Sequence, residues 1–250
     1  MKLFQYWDTG SPPDEVAGLI ESVRALNRDL DYGLYDRDDA AWFIRKHFGA
    51  RELRAFEACA APAMQSDYFR LCVLKRKGGF YIDTDMRCVA PLADLIASCP
   101  GGLLSTLYAH LVNNPWLSPT KNDPFVSACL QLATANITDE AAPSVYTATG
   151  PGVLDAIRLV VHPESAPRIL AALDNPVQRQ WGFPMVLERA RRIIEPTPAL
   201  RDSFDTIRLL GPGRLGSWLS PAEPAYKTTS IHWMNWEGSI YRPAPMQDQT

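Results

Sequence analysis

The run Gly78-Gly79-Phe80-Tyr81-Ile82-Asp83-Thr84-Asp85 constrains this chain more than any other segment. Two glycines break the helical pattern before them. Three aromatic or β-branched residues follow with no polar alternation, the pattern of a short strand buried on both faces. Such a strand belongs inside a sheet covered by helices. It hands on two carboxylates, Asp83 and Asp85, which would share a face if the strand stayed regular. Ligands of open α/β sheets bind at the carboxyl ends of strands, so the pair is expected in a binding crevice.

The flanking sequence supplies the layers. Lys2 to Trp7 reads as a first strand and Asp31 to Tyr35 as a second. Between them, Val16, Leu19, Ile20, Val23 and Leu26 recur at helical spacing after Pro13-Asp14-Glu15. Asp38 to His47 and Ala50 to Ala60 read as short helices. Ser66 is an N-cap candidate for a helix over Asp67 to Lys77, whose basic end suits the dipole. Further on, a short helix is expected at Leu92 to Ala97 and strands at Leu103 to Leu107 and Leu111 to Leu117. A helix at Phe125 to Ala135, a strand at Val145 to Thr149 and a helix at Val153 to Val160 follow. Pro163 to Leu173 and Pro184 to Ile194 read as helices, and Thr206 to Leu210 as a strand. Alternating strands and helices point to an α/β fold with a mostly parallel central sheet.

Composition narrows the function classes. The chain has 250 residues and a net charge of −3, which argues against nucleic-acid binding by bulk charge. No apolar run reaches the roughly 20 residues that span a bilayer, and the first residues lack a signal-peptide core. A cytoplasmic protein is expected, with peripheral membrane contact allowed. Five cysteines, an odd number without a CxxC spacing, fit reduced buried thiols better than disulfides or structural zinc.

Two neighbouring carboxylates repel each other unless a cation relieves them. Hard ions such as Mg²⁺ and Mn²⁺ take oxygen ligands and leave positions open for phosphate oxygens. Asp67 and Arg70 are three apart on the preceding helix and share a face, so they can add a polar clamp beside the pair. The bland alternative is an exposed ion pair and a solvated turn.

The order Ser66-Asp67…Arg70, a helix, then Gly78-Gly79…Tyr81…Asp83-Thr84-Asp85 resembles the sugar-nucleotide-binding region of DXD glycosyltransferases. It is similar above all to glycosyltransferase family 32, which includes the yeast initiating α-1,6-mannosyltransferase and bacterial capsule-sugar transferases. It resembles more distantly the glucosylating domains of clostridial toxins. Phe4-Gln5-Tyr6-Trp7, Asn114 with Asp123-Pro124-Phe125, Thr149-Gly150-Pro151 and the late His232 and Trp236 are similar to further family segments.

The resemblance implies a GT-A fold over residues 1–250. Residues 1–110 would form the nucleotide-sugar half, and 111–250 the acceptor half with a closing segment. It implies Mn²⁺ or Mg²⁺ on Asp83, Asp85 and His232, with Asp83 also on the ribose. Gln5, Trp7, Asp67, Arg70, Asn114 and Trp236 would bind the donor. Trp233 would close over it, and Asp123 would reach sugar or acceptor. The implied reaction moves a hexose or N-acetylhexosamine from a UDP- or GDP-sugar to a saccharide or lipid-linked saccharide. It would proceed with retention, in bacterial polysaccharide or glycoconjugate synthesis. Three alternatives stay open: a sugar-nucleotide-binding protein without catalysis, an effector that glycosylates a protein, and a haloacid-dehalogenase-type phosphatase. The last also uses DxD after an apolar strand, but it expects Thr or Val where Arg87 stands.

Overall fold

A computed structural model describes residues 1–107, 110–167, 169, 182–229 and 232–242. In chain order the first elements are β1 (Lys2–Tyr6), α1 (Asp14–Leu26), β2 (Asp31–Tyr35), α2 (Arg37–His47), α3 (Ala50–Ala58) and α4 (Pro62–Lys77). Next come β3 (Gly79–Tyr81), β4 (Met86–Cys88), α5 (Ala93–Ala97), β5 (Leu103–Leu107), β6 (His110–Ser118) and α6 (Pro124–Thr138). The remainder holds α7 (Val145–Ala148), α8 (Pro151–Val161), α9 (Phe183–Ile193), α10 (Pro198–Asp205), β7 (Arg208–Leu210), α11 (Pro212–Leu215) and β8 (Leu219–Pro221).

The main sheet runs β2-β1-β3-β6-β5-β7. β6 is antiparallel to both neighbours, while the β1–β2, β1–β3 and β5–β7 pairs are parallel, so the mostly parallel expectation holds. Strand alternation sorts the core into two layers. Phe4, Tyr81, Leu104 and Trp116 face the larger cluster, with Phe69 and Cys72 of α4 and Phe125 and Cys129 of α6. Their neighbours Leu3, Phe80, Leu103 and Leu117 face the smaller one, with Val23 of α1 and Leu95 of α5. Each large apolar side chain so enclosed contributes about 1.5–3 kcal/mol. All five cysteines are buried and unpaired, as expected.

The two glycines after α4 are required by backbone geometry. Gly78 and Gly79 have φ of +62° and +120°. A Cβ on Gly79 would lie 2.7 Å from the Lys2 carbonyl oxygen, so only glycine lets β3 close against β1 there.

Three sequence expectations are corrected. α4 starts at Pro62, so Ser66 lies inside the helix rather than at its cap, and its hydroxyl meets the Tyr81 hydroxyl at 2.8 Å. The proline at the first helical position was the stronger signal. Val145 to Thr149 is a helical turn: the β-branched composition suggested a strand, but Ser144 caps Thr147 and turns the chain. Asp83 and Asp85 lie beyond β3 in a turn whose Asp83 carbonyl accepts from Met86 N, so strand periodicity does not orient them. The helix expected over Pro163 to Leu173 starts as a 3-10 turn at Pro163–Ser165, and its later part lies outside the described residues. β4, β8, α10 and α11 were not foreseen. β4 and β8 form a separate antiparallel ribbon, Met86 opposite Pro221.

Candidate active site

A cavity of about 300 Å³ opens at the carboxyl ends of β1 and β3. Trp7 and Asp8 extend β1 into it, and Asp83, Thr84 and Asp85 extend β3. Asp67 and Arg70 come from α4, Asn113 and Asn114 from β6, Gly150 and Pro151 from the start of α8, and Tyr226 and His232 from the C-terminal segment.

The inner wall is a network of charged and polar side chains centred on Arg70. Arg70 is 1% exposed; its guanidinium lies 2.9 Å from Asp67 Oδ1 and 2.5 Å from Asp83 Oδ1. It also lies over the Tyr81 ring, 4.5 Å from the centroid. Asp67 further accepts from the Asn113 amide at 2.8 Å and the Thr149 hydroxyl at 3.4 Å. The bland reading of Asp67 and Arg70 as an exposed pair is therefore wrong. Burial disfavours the Arg70 charge, but Asp83 and Asp67 more than offset this and hold it protonated. Burial pushes the Asp67 carboxyl up from its ordinary range, against Arg70 and Asn113. Burial also pushes Asp83 up, to about 7; Arg70 opposes, while Asp85 and Asp67 add to the rise.

The Asp83 backbone is held from two sides. Its N–H donates to Asn114 Oδ1 at 2.9 Å, and its carbonyl accepts from Gln5 Nε2 at 3.3 Å. Gln5 is fully buried and its Oε1 accepts from the Tyr32 hydroxyl at 2.9 Å. It lies behind the lining, as a support for the Asp83 turn.

The outer wall is lighter. The Tyr226 ring meets Trp7 edge-on at 5.3 Å, and Lys227 Nζ reaches Asp85 Oδ2 at 2.9 Å. Asp85 Oδ1 is buried and has no hydrogen-bond partner among the described residues. Tyr226 and His232 belong to the 3-10 turns Ala225–Thr228 and to the segment just before Trp233–Asn235. Burial lowers the His232 pKa and Lys227 lowers it further, against Asp85 and Glu223.

Of the residues singled out in the sequence, Trp7, Asp67, Arg70, Asp83, Asp85, Asn114 and His232 all line this cavity. Trp236 is not part of the lining; it packs against the larger core cluster and its indole N–H donates to the Ser239 carbonyl. Asp123 is likewise placed elsewhere: it caps α6 through Val126 N and accepts from Ser203. The Trp233 side chain lies outside what is described. Among the described residues no three His, Cys, Asp or Glu side chains form a ready metal cluster. Sequence reasoning missed Asp8, Asn113, Tyr226 and Lys227. Only Asn113, beside Asn114, carried a local signal.

Comparison with known proteins follows the same residues. Residues 13–100 match the family described as glycosyltransferase sugar-binding region containing DXD motif. An uncharacterized glycosyltransferase of Acanthamoeba polyphaga mimivirus is 28% identical over 96 residues, a stretch covering 38% of this chain and 38% of that protein. In structure the chain is similar to the PaToxG glycosyltransferase, with a TM-score of 0.52 and 19% identity over 82% of this chain and 83% of that one. The fold is that of a GT-A glycosyltransferase.

Proposed function

We propose that this chain is a metal-dependent glycosyltransferase that moves a hexose or N-acetylhexosamine from a UDP- or GDP-sugar to a saccharide or lipid-linked saccharide, with retention of configuration. The reading treats residues 1–250 as one catalytic unit, with the donor half within 1–110. The observation that carries it is the pairing of Asp83 and Asp85 in one cleft with the buried Arg70 and the rim aromatic Trp7. That set offers a cation site, a polar clamp and an aromatic face, as a nucleoside diphosphate bearing a sugar requires.

The residues fit a hard divalent cation. Asp85 keeps one buried carboxylate oxygen without a partner among the described residues, and Asp83 stands two residues away. Ions such as Mg²⁺ need only one or two protein carboxylates when substrate phosphates complete the shell. Asp85 is the principal ligand in this reading, Asp83 the second, and His232 stands on the wall that offers a third contact. Such an ion neutralises charge on a departing diphosphate.

The chain's own groups do the rest. Trp7 offers its ring to the base, Asp67 and Arg70 hold ribose or sugar hydroxyls, and Asn114 fixes the turn that aims Asp83. Front-face displacement breaks the sugar–phosphate C–O bond and forms the glycosidic C–O bond on the same face. The acceptor's proton goes to a phosphate oxygen, so no protein nucleophile is needed. The barrier is that of an oxocarbenium-like carbon. None of the described helices is long and apolar enough to cross a membrane.

The test is a melting panel of UDP- and GDP-sugars with and without Mn²⁺. A donor at a hundredfold its Kd should raise Tm by about 5–10 °C with metal present. D85N keeps the side chain's shape and an oxygen for Lys227, so it should fold, yet lose the metal-dependent shift and sugar transfer. A wild-type chain that answers to no nucleotide with metal overturns the reading.

A further inference from the structure

We propose that Lys227 is an exchangeable counter-ion: its ammonium occupies Asp85 until a divalent cation arrives, and then passes to the diphosphate. This rests on the glycosyltransferase reading and deepens it.

The two carboxylates of the cleft are matched with two very different cations. Asp83 has Arg70, a planar guanidinium that is 1% exposed and shared with Asp67. Asp85 has Lys227, a compact ammonium on a flexible stem, 2.9 Å from Oδ2. The pair is partly open, with side chains 16% and 20% exposed. The Lys227 ammonium also donates to the Ala222 carbonyl at 2.8 Å and lies 3.6 Å from Glu223, so its other contacts come from its own segment.

The backbone beneath it is anchored separately. Ala222 N donates to the Asp85 carbonyl at 2.8 Å, and β8 pairs with β4 directly after Asp85. Lys227 can therefore leave Asp85 by rotating its four-carbon stem, without unpairing the ribbon. A divalent ion on Asp85 cannot share the oxygen with an ammonium at hydrogen-bond distance, because like charges so close repel strongly. The displaced ammonium keeps beside it the Glu223 carboxylate, 82% exposed and so a weak partner, and gains from a second anion in the cleft. A metal-bound diphosphate provides one in the same cleft, and lysine is well suited to phosphate as a point charge.

The consequence is coupling. Metal alone displaces Lys227 towards the exposed Glu223 for little compensation; metal with diphosphate displaces it and gains a contact in the cleft. Each ligand then raises the other's affinity by the same factor. Removing the ammonium should move two affinities in opposite directions, which a purely structural lysine could not do.

The experiment measures Mn²⁺ binding alone, by electron paramagnetic resonance, and UDP or GDP binding at saturating Mn²⁺, by calorimetry. It uses the wild-type chain, K227M, K227R and D85N, with K227Q in place of K227M should that variant not fold. We expect K227M to bind Mn²⁺ alone about five- to tenfold more tightly and the nucleotide about tenfold more weakly, each a near-surface charge contact. K227R should stay near wild type for the metal, and D85N should bind neither. Both affinities moving the same way in K227M, or Mn²⁺ affinity unchanged, overturns the exchange while leaving the transferase reading intact. Nucleotide and metal binding that ignores D85N overturns both.

Discussion

The two walls of the cleft are built on opposite plans. The inner wall, Asp67, Arg70 and Asp83, sits on α4 and the end of β3, and the charges are locked in one another and in Asn113. The outer wall, Tyr226, Lys227 and His232, sits on and beside single 3-10 turns, and Asp85 is held there by one flexible lysine stem. The difference separates what must be in place before a ligand arrives from what can rearrange as it does. Fixed dipoles and charges serve best where they need no reorganisation, while closing elements come from the less stable parts of a fold.

The sharpest way to break this contrast is to remove one cation from each wall. R70M removes a buried guanidinium shared by two partly buried carboxylates, Asp67 at 13% and Asp83 at 29% exposed, and should cost about 3 kcal/mol in urea denaturation. K227M should cost no more than about 1 kcal/mol. Equal losses would mean that the walls are not different in kind. A smaller effect is expected at the hinge of the inner wall. G79A puts a Cβ 2.7 Å from the Lys2 carbonyl at φ +120°, so β3 must shift against β1. Overpacking of this kind costs about 1–3 kcal/mol, and the displaced Asp83 turn should weaken nucleotide binding as well. Smallest is D123A, away from the cleft, which should cost about 1 kcal/mol through the lost α6 cap. Its metal-dependent melting shift should equal that of the wild type; a loss there would restore Asp123 to the site.

The same contrast explains what the sequence could disclose. The inner wall was legible because its parts are close along the chain: a helix, two glycines, three apolar residues and the carboxylates. Local periodicity and the turn chemistry of Gly78 and Gly79 placed Asp67, Arg70, Asp83 and Asp85 together. The outer wall was not, because β4 and β8 are three-residue strands without alternation and pair across most of the chain. Nothing near Tyr226 or Lys227 signals Trp7 or Asp85. Trp236 was misplaced for a related reason: an aromatic near a site in sequence can equally pack, partly buried, against the outside of the core, as it does here. Thr149-Gly150-Pro151 was useful in spite of a wrong local reading. The segment is the end of one helical turn and the start of α8, yet its Thr149 hydroxyl reaches Asp67.

The β4–β8 ribbon has a bearing on how the protein comes into being. Met86 follows the carboxylates directly, and its partner Pro221 is made only long after it. Pairings this distant form late, after the local helices and the contacts within the first half of the chain. A nascent chain can thus hold a finished α4 and β3 while Asp85 still lacks its neighbours. Binding competence would appear only once β8 has been made and has paired with β4, so a product cut short before Leu219 would carry the motif and still bind a nucleotide poorly.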